Sequence, residues 1–313
     1  MENHEIVVSV CIITYNQEKF ISKAIDSVLA QKVSFKYELV ISDDASIDKT
    51  QEIIHQYKDK YPEIFSIRFR ENNVGVCTNV IENIKRCKGK YFAYLEGDDY
   101  WIDENKLQKQ FDFMEAHPDV AFCYTNTYSF FDANEEQKEI MIKNNPSQNI
   151  FDLDYYIKES CFLMPTLTLF IRKNAFPKSV PAWLYYTFNL DWALNILYLQ
   201  KGKAAYLDEI TAMYRMHKGG ITSSTYFPTA VHNGIKLVKN IDRHFKYKYH
   251  NVFGKVQWRY YQLVVYYFQK NKFLIGFYWL IFSFFRNPIA FITDTNFLKT
   301  LYKVTFQSHE VYN

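Results

Sequence analysis

The feature that most restricts the fold is a change of period, repeated four times between Ile6 and Trp101. Ile6 to Ile13, Tyr37 to Ile41, Phe65 to Phe69 and Tyr91 to Leu95 are short apolar runs rich in β-branched and aromatic residues. Each suits a strand buried on both faces. Between them the apolar residues fall at helical spacing. Phe20, Ile21, Ala24, Ile25, Val28 and Leu29 share one face. Asp48 stands where it caps a helix whose face is Ile53, Ile54 and Tyr57. A third helix runs to about Cys87, with Gly89 just past its end. Strand and helix alternating through short connections require a parallel sheet with right-handed crossovers.

Every apolar run ends in a polar loop. The four loops are Thr14-Tyr15-Asn16, Ser42-Asp43-Asp44-Ala45-Ser46, Glu71-Asn72-Asn73-Val74-Gly75 and Glu96-Gly97-Asp98-Asp99. In open α/β sheets, ligands bind outside the carboxyl ends of the strands. Turn chemistry alone accounts for Thr, Asn and Gly at such ends. It does not account for paired aspartates in both the second and the fourth loop. Three carboxylates within four residues repel one another, so the fourth loop calls for a compensating charge. A hard divalent cation that also carries a phosphate meets that need. Gly97 is expected to let the backbone turn sharply there. A solvated acidic turn is the competing explanation.

After Trp101, Leu107, Phe111 and Met114 mark a helix closed by His117-Pro118, and Val120 to Phe131 has strand character. Asp132 to Asn149 is polar and is expected to form an exposed loop. Thr166 to Ile171 suits a strand, and Asp191-Trp192 opens a helix running to about Gln200. Lys203 to Tyr206 and Thr211 to Met216 suit two short strands, followed by a flexible loop from His217 to Ser223. From Pro228 onward only helices are expected, including a hairpin of Tyr260 to Gln269 and Phe273 to Phe285. The net charge of +3 hides an asymmetry: from Lys236 onward there are 12 Lys and Arg against 3 Asp and Glu. A basic, aromatic tail on an acidic body suggests an anionic partner, membrane or polyanion, with a solvated basic face as the alternative. Cys11, Cys77, Cys87, Cys123 and Cys161 form no C-x-x-C pair, and the pattern fits buried thiols in a reducing compartment. No secretory leader is visible at the N-terminus. Phe273 to Phe285 falls short of the ~20 residues of a spanning helix.

Taken together, the stretches Val-Cys-Ile-Ile-Thr-Tyr-Asn, Val-Ile-Ser-Asp-Asp-Ala-Ser-Ile-Asp-Lys-Thr, Asn-Val-Gly and Gly-Lys-Tyr-Phe-Ala-Tyr-Leu-Glu-Gly-Asp-Asp-Tyr-Trp resemble the nucleotide-sugar half of family 2 glycosyltransferases. The resemblance covers about Val8 to Trp101. Asp191-Trp192 and Tyr214-Arg215-Met216-His217-Lys218-Gly219-Gly220 are similar to the acceptor side of many bacterial members. It implies an α/β GT-A fold, a Rossmann-like, mostly parallel sheet flanked by helices, with a helical C-terminal appendage. On this basis residues 1–228 form the transferase domain, split near 104 into nucleotide-sugar and acceptor halves, and 229–313 the basic helical region.

The resemblance also implies roles. Thr14, Tyr15 and Asn16 line the nucleotide pocket, with Tyr15 on the base. Asp43 or Asp44 accepts a base N–H, with helix capping as the competing role, and Asn73 and Gly75 approach the nucleotide. Glu96, Asp98 and Asp99 form the acidic metal motif for Mn²⁺ or Mg²⁺, with Glu96 where Asp is more usual. Glu96 and Asp98 also face the nucleotide. Asp191 is the general base, here after Leu190 where many members have Glu, and an N-cap is its alternative role. Arg215 suits the diphosphate, and His217 the metal. The expected reaction is a single inverting displacement from a nucleoside-diphosphate sugar, most naturally a UDP-sugar. The expected acceptor is a glycan or lipid-linked glycan, at the cytoplasmic membrane face. No nucleic-acid partner is expected. A sugar-nucleotide pyrophosphorylase is disfavoured because the first loop has no glycine. A non-catalytic nucleotide-binding scaffold is the other alternative.

Overall fold

The computed structural model describes residues 5–158, 164–220, 227–250, 264, 266–268, 270 and 272–286. The chain divides into two compact units. The first is Met1–Tyr186 with Leu190–Ser223, and the second is Thr187–Asn189 with Ser224–Asn313.

The first unit begins as the sequence periods require: β1 (Val8–Thr14), α1 (Ile21–Leu29), β2 (Tyr37–Asp43), α2 (Thr50–Lys60), β3 (Phe65–Phe69), α3 (Val76–Arg86) and β4 (Tyr91–Glu96). β1 pairs in parallel with both β2 and β4, and β2 with β3. α1 buries Ile21, Ala24, Ile25 and Val28 against the sheet residues Val10, Ile12, Leu39 and Ile41. α3 lays Asn83 on the sheet, where its side-chain amide donates to the carbonyls of Ile12 at 2.9 Å and Val40 at 2.7 Å. A buried amide so paired costs little and locks the helix to the two central strands.

After β4 come β5 (Tyr100–Trp101), α4 (Lys106–Ala116), β6 (Val120–Phe131), β7 (Asn134–Ile140), β8 (Ile150–Phe151), α5 (Leu153–Lys158), β9 (Phe170–Arg172), α6 (Leu190–Leu199) and β10 (Lys203–Met216). The sheet order is β3-β2-β1-β4-β9-β6-β10-β5, with β7 on β6 and β8 on β10. β6 and β10 run parallel, while β9 joins β4 to β6 antiparallel to both. The result is a mixed α/β sheet whose first half is wholly parallel.

Three elements differ from expectation. Asn134–Ile140, expected within a loop, is a strand hydrogen-bonded to β6, and all seven of its residues are exposed. With no buried face it needs no alternating apolar pattern, so the sequence carries no strand signal there. The two short strands expected over 203–216 are one continuous β10, with register shifts between Tyr206 and Ile210 and again before Ala212. The polar interruption is a bulge, which absorbs extra residues without ending a strand. Residues Thr166–Thr168 form a 3₁₀ turn before the short β9.

In the second unit the described residues form α7 (Phe227–His244) and α8 (Phe273–Arg286). Val231 and Ile235 of α7 pack with Tyr267 and Trp279. Most of the helix expected over Tyr260 to Gln269 lies outside the described residues, as does Cys161. Cys11, Cys77, Cys87 and Cys123 are buried and in no disulfide. No described helix is long and apolar enough to cross a membrane.

Candidate active site

The parallel sheet brings the ends of β1, β2 and β4 to one edge. The loops after β1 and β2 are laced together. The Asn16 amide donates to Ser46 Oγ at 2.8 Å, and the Ile47 amide returns a bond to Asn16 Oδ1 at 2.9 Å. Asn16 holds a left-handed φ of 52°, which Asn tolerates better than most residues. The Glu18 amide donates to Asp48 Oδ2 at 3.0 Å, and Asp48 Oδ1 accepts the Thr50 amide at 2.9 Å at the start of α2. Asp48 is thus the residue that serves the helix terminus.

Asp43 and Asp44 are almost wholly buried. Asp43 accepts the Ser46 amide at 2.9 Å, Gln51 Nε2 at 2.6 Å and the Ser46 hydroxyl. Asp44 accepts the amides of Val74 at 2.9 Å and Gly75 at 3.0 Å, tying the second loop to the third. Neither caps a helix. Both carboxylates are engaged by the loops themselves, so a base would meet them only by exchanging these bonds. Asn73 Oδ1 also accepts the Gly75 amide, at 3.1 Å. Gly75 has φ +84°, a conformation that penalises any Cβ. Tyr15 is 46% exposed at the mouth of these loops, open to a planar ligand.

The fourth loop is built differently. Gly97 does not adopt a left-handed φ. It is required by close approach: an added Cβ would collide with Gln17 Oε1 and lie 3.0 Å from Thr14 Cβ and Oγ1. The chain then enters β5, anchored by Trp101, whose indole N–H donates to the Leu167 carbonyl at 2.8 Å. The fully buried Lys106 ammonium stands 4.3 Å over the same ring. β5 runs antiparallel to β10, with Trp101 opposite Ala212 and Tyr100 opposite Met213. That register carries Asp99 and Asp98 towards Arg215 and His217. The Arg215 amide donates to Asp99 Oδ1 at 2.8 Å, and its Nε to the Asp98 carbonyl at 2.9 Å. His217 Nε2 lies 3.0 Å from Asp98 Oδ2.

Asp98 and His217 therefore meet, and Asp99 does not join them. Asp99 is 1% exposed and turned to the Arg215 amide. Among the described residues no three His, Cys, Asp or Glu side chains form a metal cage. Of the expected Asp98, Asp99 and His217, the structure brings Asp98 and His217 together. Arg215 is likewise not free for a diphosphate. Its Nη1 donates to Asp132 at 2.5 Å, and its guanidinium stacks on Phe20 and Phe130 at 4.7 and 4.9 Å. Asp132 and Phe20 belong to the site although no motif announces them. Phe20 carried only a helix-face signal, and Asp132 sits in a polar stretch.

Electrostatically the turn is in deficit. Burial, then the charges of Asp98 and Asp191, push Glu96 up to about 8. Burial, then Asp98 and Glu96, hold Asp99 well above the usual carboxylate range. Asp191 lies in the first turn of α6, a helix buried along almost its whole length. Burial raises its pKa, against the lowering effect of backbone amides and the Thr166 hydroxyl. The bond to Asp98 raises His217 despite partial burial. Thr14 Oγ1, Gln17 Oε1, Glu96 Oε2 and Asp99 Oδ2 are buried without a hydrogen-bond partner. Desolvated, like-charged oxygens beside a His–carboxylate pair fit a hard divalent cation that takes its remaining ligands from phosphate and water.

Known proteins are similar to this chain. The family description "Glycosyl transferase family 2" matches residues 9–176. An uncharacterized protein of Mycobacterium tuberculosis is 33% identical over 218 residues, 70% of this chain and 61% of that protein. The chain thus spans under two thirds of that relative's length. UDP-Glc:alpha-D-GlcNAc-diphosphoundecaprenol beta-1,3-glucosyltransferase of Escherichia coli is 28% identical over 225 residues, 70% of this chain and 81% of that enzyme. The structure of a Pyrobaculum calidifontis mannosyltransferase in complex with GDP-Man and Mn²⁺ superposes with a TM-score of 0.58 at 14% identity, covering 96% of this chain and 82% of that one. At that identity the likeness is one of fold, the GT-A arrangement. The family match spans more than half the chain and contains the laced loops and the acidic turn, and the chain belongs to glycosyl transferase family 2.

Proposed function

We propose that this chain transfers a glycosyl group from a nucleoside-diphosphate sugar to a hydroxyl of a glycan or lipid-linked acceptor, with inversion, in surface-glycan assembly. The observation that carries the reading is the meeting of Asp98 and His217, 119 residues apart, at a turn whose acids also feel the charge of Asp191. Asp191 takes the proton of the acceptor hydroxyl as that oxygen bonds to the anomeric carbon. The bond to the diphosphate breaks on the opposite face of the sugar. A carboxylate raised by burial is a stronger base than a free one. Asp98 and His217 would hold Mn²⁺ or Mg²⁺, which when bound offsets charge on the leaving diphosphate. Asp99 and Arg215 fix the turn that presents Asp98. Tyr15 stacks on the base, while Thr14, Asn16, Asn73 and Gly75 shape the nucleotide pocket.

The donor and acceptor names of the E. coli relative support a UDP-sugar and a lipid-linked acceptor. The basic C-terminal region supports work at the cytoplasmic membrane face. The test is a screen of UDP- and GDP-sugars with Mn²⁺, scored by nucleoside diphosphate release with and without acceptor glycolipid. Acceptor-dependent release from one donor is the expected result. No release from any donor, with nucleotide still bound, would sink the catalytic reading in favour of a scaffold.

A further inference from the structure

α8 divides cleanly into two faces. Gly276 faces inward: an added Cβ there would collide with the Phe268 ring. Trp279, one turn on, packs on His232 of α7 with ring centroids 4.9 Å apart. On the opposite side Leu274, Phe277, Tyr278 and Ile281 are 88%, 48%, 58% and 56% exposed. Their spacing of i, i+3, i+4 and i+7 makes one continuous stripe. Lone exposed apolar residues are ordinary, but a stripe of large ones marks an interaction surface. Exposed Lys270 and Lys272 stand just before the helix, and the sequence ends it with Arg286. From Lys236 onward basic residues outnumber acidic ones 12 to 3.

We propose that α8 is an interfacial helix that lays its Leu274, Phe277, Tyr278 and Ile281 stripe into the surface of an anionic lipid bilayer. Charge selects this occupant: a basic region repels a second copy of itself and is drawn to anionic headgroups. Length selects the orientation. Fourteen helical residues reach only ~21 Å, short of the ~30 Å hydrocarbon core, so the helix lies in the interface. An apolar stripe with cations at its ends is the pattern of such helices, and two weak signals together give stable, reversible attachment. The inference deepens the proposed function only in placing the enzyme where a lipid-linked acceptor resides.

The test is flotation of the full chain with phosphatidylglycerol vesicles and with phosphatidylcholine vesicles. Binding to the anionic vesicles at low salt, lost in high salt, is expected. The triple substitution Leu274→Asp, Phe277→Asp, Ile281→Asp is expected to lower partitioning by about 100-fold or more. Lys270→Glu with Lys272→Glu should lower it by about 10-fold or more, for the anionic vesicles only. Nucleotide binding of each variant should be unchanged and its melting temperature nearly so, which excludes misfolding: Leu274 and Ile281 are exposed, and Phe277 gives up only its edge contact with the Phe268 ring. Transfer to acceptor glycolipid dispersed in neutral detergent, with no vesicle surface, separates this inference from the transferase reading, since it should persist in every variant. Equal binding of parent and triple variant, or a parent that stays at the bottom of the gradient, overturns the proposal. So does a parent that dimerises through this stripe and ignores lipid.

Discussion

The loops after β1, β2 and β3 and the acidic turn after β4 both hold aspartates, and they treat them in opposite ways. In the laced loops Asp43, Asp44 and Asp48 all have partners. They accept amides and hydroxyls from their own and neighbouring loops at 2.5 to 3.0 Å. In the acidic turn Glu96 and Asp99 each keep a buried oxygen with no partner, and both are pushed upward by burial and by the charge of Asp98. Satisfied buried carboxylates hold shape. Unsatisfied ones store an electrostatic deficit that a ligand can relieve. One region is finished without substrate, and the other is completed by it.

The strongest way to break this contrast is at the chemistry. Asp191→Asn should cut the transfer rate by ~10² to 10⁴-fold, the usual worth of a positioned proton acceptor. Nucleotide affinity should hold. Initial rates beside a nucleotide titration check this, and a near-normal rate would send the search for a base to Asp154 and Asp208. Asp98→Ala, like chelation of divalent cations, should abolish transfer while leaving the melting temperature unchanged or higher, because it removes repulsion. Full activity in excess chelator contradicts the metal reading.

Substitution in the laced loops should show the reverse signature. Asp44→Ala removes the acceptor of two half-buried amides, at about 0.5–1.5 kcal/mol each. A lower denaturation midpoint at constant slope is expected, a stability defect first and a rate defect second. If Asp44→Ala leaves stability untouched but destroys nucleotide binding, the loop carboxylates are ligands and the comparison fails.

The two glycines sharpen it further. Gly75→Ala and Gly75→Asn are strained alike, at ~1–3 kcal/mol, because φ 84° with ψ 154° is a region that essentially only glycine enters, and no neighbour crowds the site. Gly97→Ala is a packing collision costing ~1–3 kcal/mol, and Gly97→Asn, being larger, should be worse. Melting curves of the four variants should therefore show a loss that ignores side-chain size at Gly75 and grows with it at Gly97.

The smallest effect is one of sign with pH. Burial alone would raise Asp48, but bonds from the Thr50 hydroxyl, the Thr50 amide and the Glu18 amide lower it below its free value of 3.8. Its stabilisation is present above that free value and lost as pH falls through the folded one. Asp191 is raised from the same 3.8. Folded chains then bind the proton more tightly, so its ionisation costs stability as pH rises through the folded value. At neutral pH Asp48→Asn should lower the melting temperature slightly and Asp191→Asn raise it. Near pH 3 both differences should shrink. Melting scans across pH that show the same sign for both would deny that the two aspartates sit in opposite environments.

The alternating periods up to Trp101, the order of the polar loops and the acids of the fourth loop were legible in the sequence. They are local properties: helix and strand differ in where successive side chains point, and turns need particular residues. The family membership followed from the same stretches in order. What the tertiary structure alone decided is how each polar group is used. Gly97 is required by Gln17 and Thr14 pressing on it, a contact between strand ends. Asp43 and Asp44 were open alternatives until Ser46 and Gln51 claimed the first and the third loop the second. Asp98 and not Asp99 meets His217 because β5 pairs with β10 in one register, and register belongs to no single strand. Arg215 bonds Asp132 rather than standing free because a strand without an apolar face, Asn134–Ile140, formed on the edge of β6. The sequence names the groups that carry chemistry. Their partners come from segments far apart along the chain, so only the folded sheet determines which remain unsatisfied and ready for a ligand.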